Sequence, residues 1–481
     1  MDLGVLMSYF YKISLTEVYG NVFIAHLHVV APFFTWLLEI FPDKFSPFVL
    51  IVFQSLMLSL PVYWLHKQFG KVVSLSYVLF FPLWFNALFD FHIDHLVIPV
   101  LFYFFLAVRS GNLLLAIFLA ISLSFIKEYF ALQTAMCGVY LILSILDRGQ
   151  SNVYIESNRK IFFYGLFLII FGFGYFYIAI NYFLPFFHDT TIINPISSFG
   201  WLGSSVGEIL WYVLTNPIEV ITNILSTHGK LTYILALFGV LGFISLLKPA
   251  PLVLALPIFA ISLLSQYEGL YGLGHHYTAG LIPPIIIAFA FGLPRAKLIW
   301  RKAGFSDKLF YPVLIFGLIL SHVILSPSPI GRLFWSDKIW SYNYRAYIPL
   351  ERDEMIKTAI AKHIPTDPGV IISLQNTLNI SSLVQPHYFH LFPDGVTEEQ
   401  KVLFYNSEAI RKIEHEAKKA DFVIIDLKRP WFIIDKGCSW LYGECTDGKV
   451  AKDYLYWVDE SKKVMDIEFK NDGFMILRRK Q

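Results

Sequence analysis

The chain has 481 residues, of which 56% are hydrophobic, 17% aromatic and only 15% charged, where a soluble protein carries about 25% charged residues. That balance excludes an ordinary soluble globular protein and points to a multi-pass membrane protein, while a net charge of +2 and the lack of a basic run give no reason to expect nucleic acid. Residues 1–326 hold 16 Lys+Arg and 14 Asp+Glu, whereas residues 327–481 hold 22 of each, so an apolar transmembrane domain (1–326) followed by a soluble one (327–481) is expected.

At the start, "DLG" at 2–4 and "AHLH" at 25–28 frame a polar segment ahead of the first clear span. Asp2, Glu17 and His26 are candidate bases there by position alone. No charged n-region is followed by a short apolar run and a small-residue cleavage site, so insertion is expected to depend on the spans themselves.

A span needs about 20 apolar residues, with about 17 as a lower limit. Candidates fall near 46–66, 72–89, 95–108, 112–126, 129–146, 161–184, 231–247, 250–266, 276–294 and 309–326, ten in all. Threading them alternately from an outer N-terminus puts Lys67, Lys71, Arg109, Arg148, Arg159, Lys160, Lys248, Arg295, Lys297, Arg301, Lys302 and Lys308 in inner loops. These are 12 of the 16 basic residues before 327, as the preference of positive charge for the cytoplasmic side requires. The same threading puts eight of the ten histidines before 327 in outer segments, a result the basic residues did not demand.

Three polar runs therefore meet on the outer side. The first is "FDFHIDH" at 89–95, with Asp90, His92, Asp94 and His95 in seven positions. A loop at a span end is often polar merely because it is wet. As a group, however, these side chains suit general-base work or metal ligation, with Asp90, His92 and Asp94 as the candidate ligands. Oxygen and imidazole ligands suit manganese or zinc, while magnesium would want fewer imidazoles.

The second run is "SFIKEYF" at 124–130, where Lys127 and Glu128 interrupt a long apolar stretch. It reads either as a wet turn between two short spans or as a site in which Lys127 supplies positive charge for a phosphate and Glu128 orients it or acts as a base. Neighbouring helical residues point in different directions, so the two are not expected to serve one ligand. The third run, "GLYGLGHHYTAG" at 269–280, joins glycines to His275, His276 and Tyr277. The glycines read as turn and packing residues and Tyr277 as an interfacial anchor, with the histidine pair as substrate-binding candidates.

Beyond 326 the pattern turns α/β. A helix is expected near 350–362, a strand at 370–374, a charged helix near 407–419, and strands at 422–427 and 474–479, giving a small sheet covered by helices. The threading makes this part extracytoplasmic. Cys438 and Cys445 share the loop "CSWLYGEC" and should be bridged in an oxidising compartment, since two thiolates alone lack the partners of a structural zinc site. Cys137, in an apolar stretch, reads as a small hydrophobe.

Taken in order, "DLG", the histidine ahead of "APFFTWLLEIFP", "FDFHIDH", "KE", "HHYTAGLIPP", "FVIIDL" and "DGFMILRR" resemble the membrane protein family called domain of unknown function 2079. That family is similar to a branch of the C-type glycosyltransferase superfamily, whose members take sugars from polyprenyl-phosphate carriers at the outer face. The resemblance implies a C-type glycosyltransferase-like helical domain in the cell membrane, with Asp2 of "DLG" as the matching base or metal residue. His26, Asp90, His92, Lys127 and Glu128 fall on its other motif positions. The family pattern reads "FDFHPE" and "KED" where this chain has Ile93-Asp94 and Tyr129, and it has a span before "DLG", whereas this chain begins within that loop.

The function expected on these grounds is transfer of a sugar from a polyprenyl-phosphate donor to a glycan, lipid or protein acceptor. Asp2, Asp90 and Glu128 would be catalytic; His26, His92, Asp94, His95, Lys127, His275, His276 and Tyr277 would bind substrate. A divalent metal, manganese or magnesium, is the one cofactor expected. A lipid or solute transporter is the main alternative, but it would want ionisable groups at mid-membrane and an internal repeat, and neither is evident. A non-catalytic protein of envelope assembly is the third.

Overall fold

Apolar runs in lipid can satisfy their backbone polar groups only as helices or closed barrels, and helix dominates residues 27–336 of the computed structural model. The structure describes Leu6, residues 27–41, 45–146, 158–187, 197–336 and 344–365, and from there 367, 370, 372–374, 388–390, 420–426, 462 and 465–480. From residue 27 the described helices are α1 (Ala31–Glu39), α2 (Ser46–Phe69), α3 (Lys71–Leu79), α4 (Phe81–Leu88), α5 (Val97–Arg109), α6 (Leu113–Ile126) and α7 (Phe130–Leu146). They continue with α8 (Asn158–Ile178), prolonged by a π-turn at Ala179–Phe183, then α9 (Val206–Thr215), α10 (Pro217–Ser226), α11 (His228–Phe238), α12 (Leu256–Leu264), α13 (Ile282–Lys302) and α14 (Asp307–Leu325).

Four of these are long and apolar enough to cross a membrane: α2, Asn158–Phe183, α13 and α14. Two bent pairs, α3 with α4 at 54° and α10 with His228–Leu241 at 83°, raise the number to six if each is one span. The other expected spans are shorter helices. The 13 residues of α5 rise only about 20 Å, against a hydrocarbon core of about 30 Å. The expected span 231–247 breaks where Gly242 and Phe243 both take left-handed φ, 60° and 55°. The one expected from 276 starts six residues later, because Pro283 and Pro284 favour a helix start there, and His276–Thr278 form a separate 3-10 turn.

Each break has its own chemistry. Between α2 and α3, Gly70 takes φ 81° with nothing near its missing Cβ, so its requirement is conformational rather than steric. Between α3 and α4, Pro82 has no N–H to continue the ladder, and the bend frees carbonyls. The Trp84 indole donates to Val78 O at 2.8 Å, and His322 Nδ1 lies 3.0 Å from Leu79 O. Thus His322, from α14, repairs a break in another helix.

Helices α7 and α8 approach through small residues. A methyl added at Gly165 would lie 2.7 Å from Gly138 O, and one at Gly172 would lie 2.5 Å from Ala135 N. Close backbone approach of this kind is the usual way helices associate in lipid, where no hydrophobic gain drives them together. Helix α13 is buried along most of its apolar length, whereas α2, α8 and α14 expose broad apolar faces. Phe118, Trp211, Leu214 and Ile218 are among the side chains left at least 66% exposed, and an apolar surface this extensive is a lipid-facing one.

A second hydrophobic core lies beyond residue 350. Helix α15 (Glu351–His363) contributes Ile356, Ala359 and Ile360 to it, against Phe422, Ile424, Phe474 and Ile476 of the sheet. The strands are β1 (Ile372–Leu374), β2 (Tyr388–His390), β3 (Phe422–Asp426), β4 (Met465–Asn471) and β5 (Phe474–Arg479), in the order β2-β1-β3-β5-β4. β1 runs parallel to β2 and β3, while β5 is antiparallel to β3 and β4. Arg352 of α15 reaches both carboxylate oxygens of buried Asp426, at 2.8 and 2.7 Å, and so ties helix to sheet. Strand β4 was not anticipated, although Asp472-Gly473, both at positive φ, is the residue pair that closes a two-residue hairpin. The helix expected near 407–419 and the pair Cys438 and Cys445 lie outside the described residues; Cys137 is free and buried.

Candidate functional site

The three polar runs converge on one carboxylate. Asp94 sits in a single 3-10 turn, Ile93–Leu96, that joins α4 to α5, and it is fully buried. Lys127, in the extended link between α6 and α7, brings Nζ to 3.4 Å from Asp94 Oδ2, and the Tyr129 hydroxyl donates to the same oxygen at 2.6 Å. His276, from the loop before α13, brings Nε2 to 3.3 Å from Oδ2, and His92 Nδ1 lies 3.2 Å from Oδ1. The His92 and His276 rings stack, centroids 3.4 Å apart and planes within 12°. Lys127 is also 5.0 Å from the centre of the Tyr129 ring.

Burial alone would raise the Asp94 carboxyl, but Lys127, His92 and His276 together outweigh it and hold the group well below the usual carboxylate range. Asp94 is therefore an anion, poorly suited to taking a proton and well suited to holding a cation.

Gln54 keeps this loop in place. It is a buried amide in the middle of α2, and its Oε1 accepts from His92 N at 3.0 Å and lies 2.5 Å from His95 Nδ1, while its Nε2 donates to Phe89 O at 3.3 Å. One side chain thus fixes three points of residues 89–95. A second tie, Asn86 Nδ2 to Thr278 Oγ1 at 2.5 Å, joins α4 to the loop carrying His276. Neither Gln54 nor Tyr129 was singled out from sequence. The signal for Gln54 was a lone amide inside a long apolar run, where lipid offers it no partner.

The remaining candidates fall elsewhere. Lys127 and Glu128 diverge: Glu128 Oε2 accepts from Leu27 N at 2.8 Å, and with the contact of His28 Nδ1 to Ile126 O at 2.8 Å it docks Leu27 and His28 on the link between α6 and α7. His95 is held by Gln54, and its ring is 6.4 Å from that of His92. His275 is buried, edge-on to Phe89 at 5.9 Å, and Tyr277 lies with its ring 4.2 Å from that of His276. Asp90 is half-buried in the same loop as Asp94 and is not one of the three groups, His92, Asp94 and His276, whose ligand atoms cluster. Asp2 and His26 lie outside the described residues.

A groove of about 890 Å³ opens between α11, α13 and α14. Its lining is almost wholly apolar, with Val240, Ile244, Trp300, Phe310 and Leu314 along it, and it includes Phe81 of α4 and Leu273, two residues before His275. The elements that frame the polar cluster thus also border the groove.

No curated protein and no solved structure matches the chain. The model of a family of predicted membrane proteins does match, over residues 9–378, a stretch that takes in α1 to α15 and every member of the polar cluster. On that match the chain belongs to the family called domain of unknown function 2079 (DUF2079).

Proposed function

We propose that this protein is a membrane glycosyltransferase that moves a sugar from a polyprenyl-phosphate donor to an acceptor hydroxyl at the outer face. The observation that carries the reading is the convergence of Asp94, Lys127, His92 and His276 from three separate parts of the chain, in loops that the basic residues assign to the outer side. The apolar groove supports it, having the lining that a hydrocarbon chain requires. In this reading the short helices α5, α6, α7 and α12 complete a ten-pass, C-type glycosyltransferase-like bundle, and the sheet beyond residue 350 lies outside the membrane.

The chemistry needs a base for the acceptor hydroxyl and positive charge for the phosphate leaving group. Asp94 is held as an anion by its cationic neighbours, so in this reading the base is Asp90, half-buried in the same loop. Lys127 and the two stacked imidazoles line the side on which the phosphate would leave. The reaction breaks the anomeric carbon–oxygen bond of the donor and forms one to the acceptor oxygen, whose proton goes to the carboxylate.

The test is transfer from a panel of radiolabelled polyprenyl-phosphate sugars by full-length protein in proteoliposomes. Wild type should turn over at least one donor, and Asp90→Asn should lose about 100-fold or more, as removal of a general base does. No turnover by wild type, or equal turnover by Asp90→Asn, would overturn the assignment. A transporter is favoured by one observation, the two bent helix pairs, because broken helices frame many transport sites. Movement of the lipid across the proteoliposome membrane without transfer would decide for it.

A further inference from the structure

The polar cluster holds buried polar atoms that its own side chains leave without hydrogen bonds. His92 Nδ1 accepts from the Asp94 backbone N–H at 3.4 Å, so that nitrogen presents a lone pair. It nevertheless faces Asp94 Oδ1 at 3.2 Å, and Oδ1 accepts no hydrogen bond. Both nitrogens of the buried His276 ring also lack hydrogen bonds, although Nε2 is 3.3 Å from Asp94 Oδ2. Buried polar atoms left without hydrogen bonds are costly, and a cation shared among them would satisfy the carboxylate oxygen and the imidazole nitrogens together.

We infer that His92, Asp94 and His276 bind one divalent first-row transition ion. Their ligand atoms lie within 4.8 Å of one another. Ligands about 2.1 Å from a zinc-sized ion stand about 3.4 Å apart in a tetrahedron, and the separation of His92 Nδ1 from Asp94 Oδ1, 3.2 Å, already has that spacing. Two imidazoles with one carboxylate select zinc, manganese, cobalt or iron over magnesium.

The surroundings fit as well. Tyr129 and Lys127 engage Oδ2 and leave Oδ1 open, which is how outer partners orient a ligating carboxylate. With Lys127 beside it, the loaded site carries net positive charge and keeps coordination positions for an anion. This ligand set differs from the one read off the sequence, since His276 replaces Asp90. The inference stands on the cluster alone and does not depend on sugar transfer.

Full-length protein in nanodiscs, stripped with chelator, would be titrated separately with Zn²⁺, Co²⁺ and Mg²⁺, with bound metal counted by mass spectrometry and Co²⁺ followed by its visible absorption. One Zn²⁺ or Co²⁺ per chain is expected, with ligand-field bands of nitrogen and oxygen ligation, and no Mg²⁺ at the same concentration. His276→Ala and Asp94→Asn should abolish binding, while Tyr129→Phe, which removes only an outer hydrogen bond, should weaken it about 10- to 100-fold. His66→Gln, an exposed histidine in the last turn of α2 and outside the cluster, should bind as wild type does. Where His276→Ala does not elute as folded protein, His276→Gln replaces it. Failure of wild type to bind one ion saturably, or equal loss in His66→Gln, would overturn the site whatever the transfer assay finds.

Discussion

Lys127 and Asp94 form an ion pair almost without access to water, their side chains 2% and 0% exposed. Desolvating two charges costs several kcal/mol, and the attraction between them offsets that only while both remain. Lys127→Met should therefore lower stability by about 3–5 kcal/mol, because it leaves a buried carboxylate uncompensated. The double variant Lys127→Met/Asp94→Asn should recover most of the loss, since the two residues act as a unit. Thermal unfolding of the four proteins in one detergent measures this; additive losses would sink the idea. Asp94, Lys127, His92 and His276 were all legible, because an ionisable group between apolar runs is rare enough to notice. Their pairing was not, because Asp94 and His276 lie 182 positions apart and only the loop geometry brings them together.

Among the elements, contrasts between helices are instructive. Gly172 of α8 faces the backbone of α7, whereas Gly174, two residues on, has nothing within 4 Å of its missing Cβ. Gly172→Ala should destabilise by about 1–3 kcal/mol through overpacking. Gly174→Ala should be neutral or stabilising by up to about 1 kcal/mol, through helix propensity alone. The unfolding midpoints of the two variants give the comparison, and an equal effect of both would mean that the α7–α8 contact is not a close one. Hydropathy located the helical stretches here but not their ends. The expected spans stop short where Pro82 removes a donor and where Gly242 and Phe243 turn left-handed, and such a break leaves the local apolarity almost unchanged.

For the whole molecule, orientation is the statement with the widest consequences. The inner loops of the threading hold Arg301, the outer ones Ser205, and both residues are exposed. With the native cysteines removed, Ser205→Cys should react with a membrane-impermeant maleimide in intact cells, and Arg301→Cys only after permeabilisation. Labelling of both under the same condition would reverse the argument that the polar cluster faces outward.

The amino-acid sequence by itself determined the class of molecule. Its apolar content requires helices in lipid, and its family follows from residues 9–378. It also supplied strands β1, β3 and β5, whose alternation or apolar run is a local signal. Tertiary structure decided what depends on partners distant in the chain. Gln54 became the anchor of the 89–95 loop, His322 the repair of the α3–α4 bend, and Glu128 a clamp on the backbone of Leu27. The reason is physical: burial tendency is a property of a residue and its near neighbours, whereas a hydrogen bond in a low-dielectric interior is a property of two groups that only folding brings together.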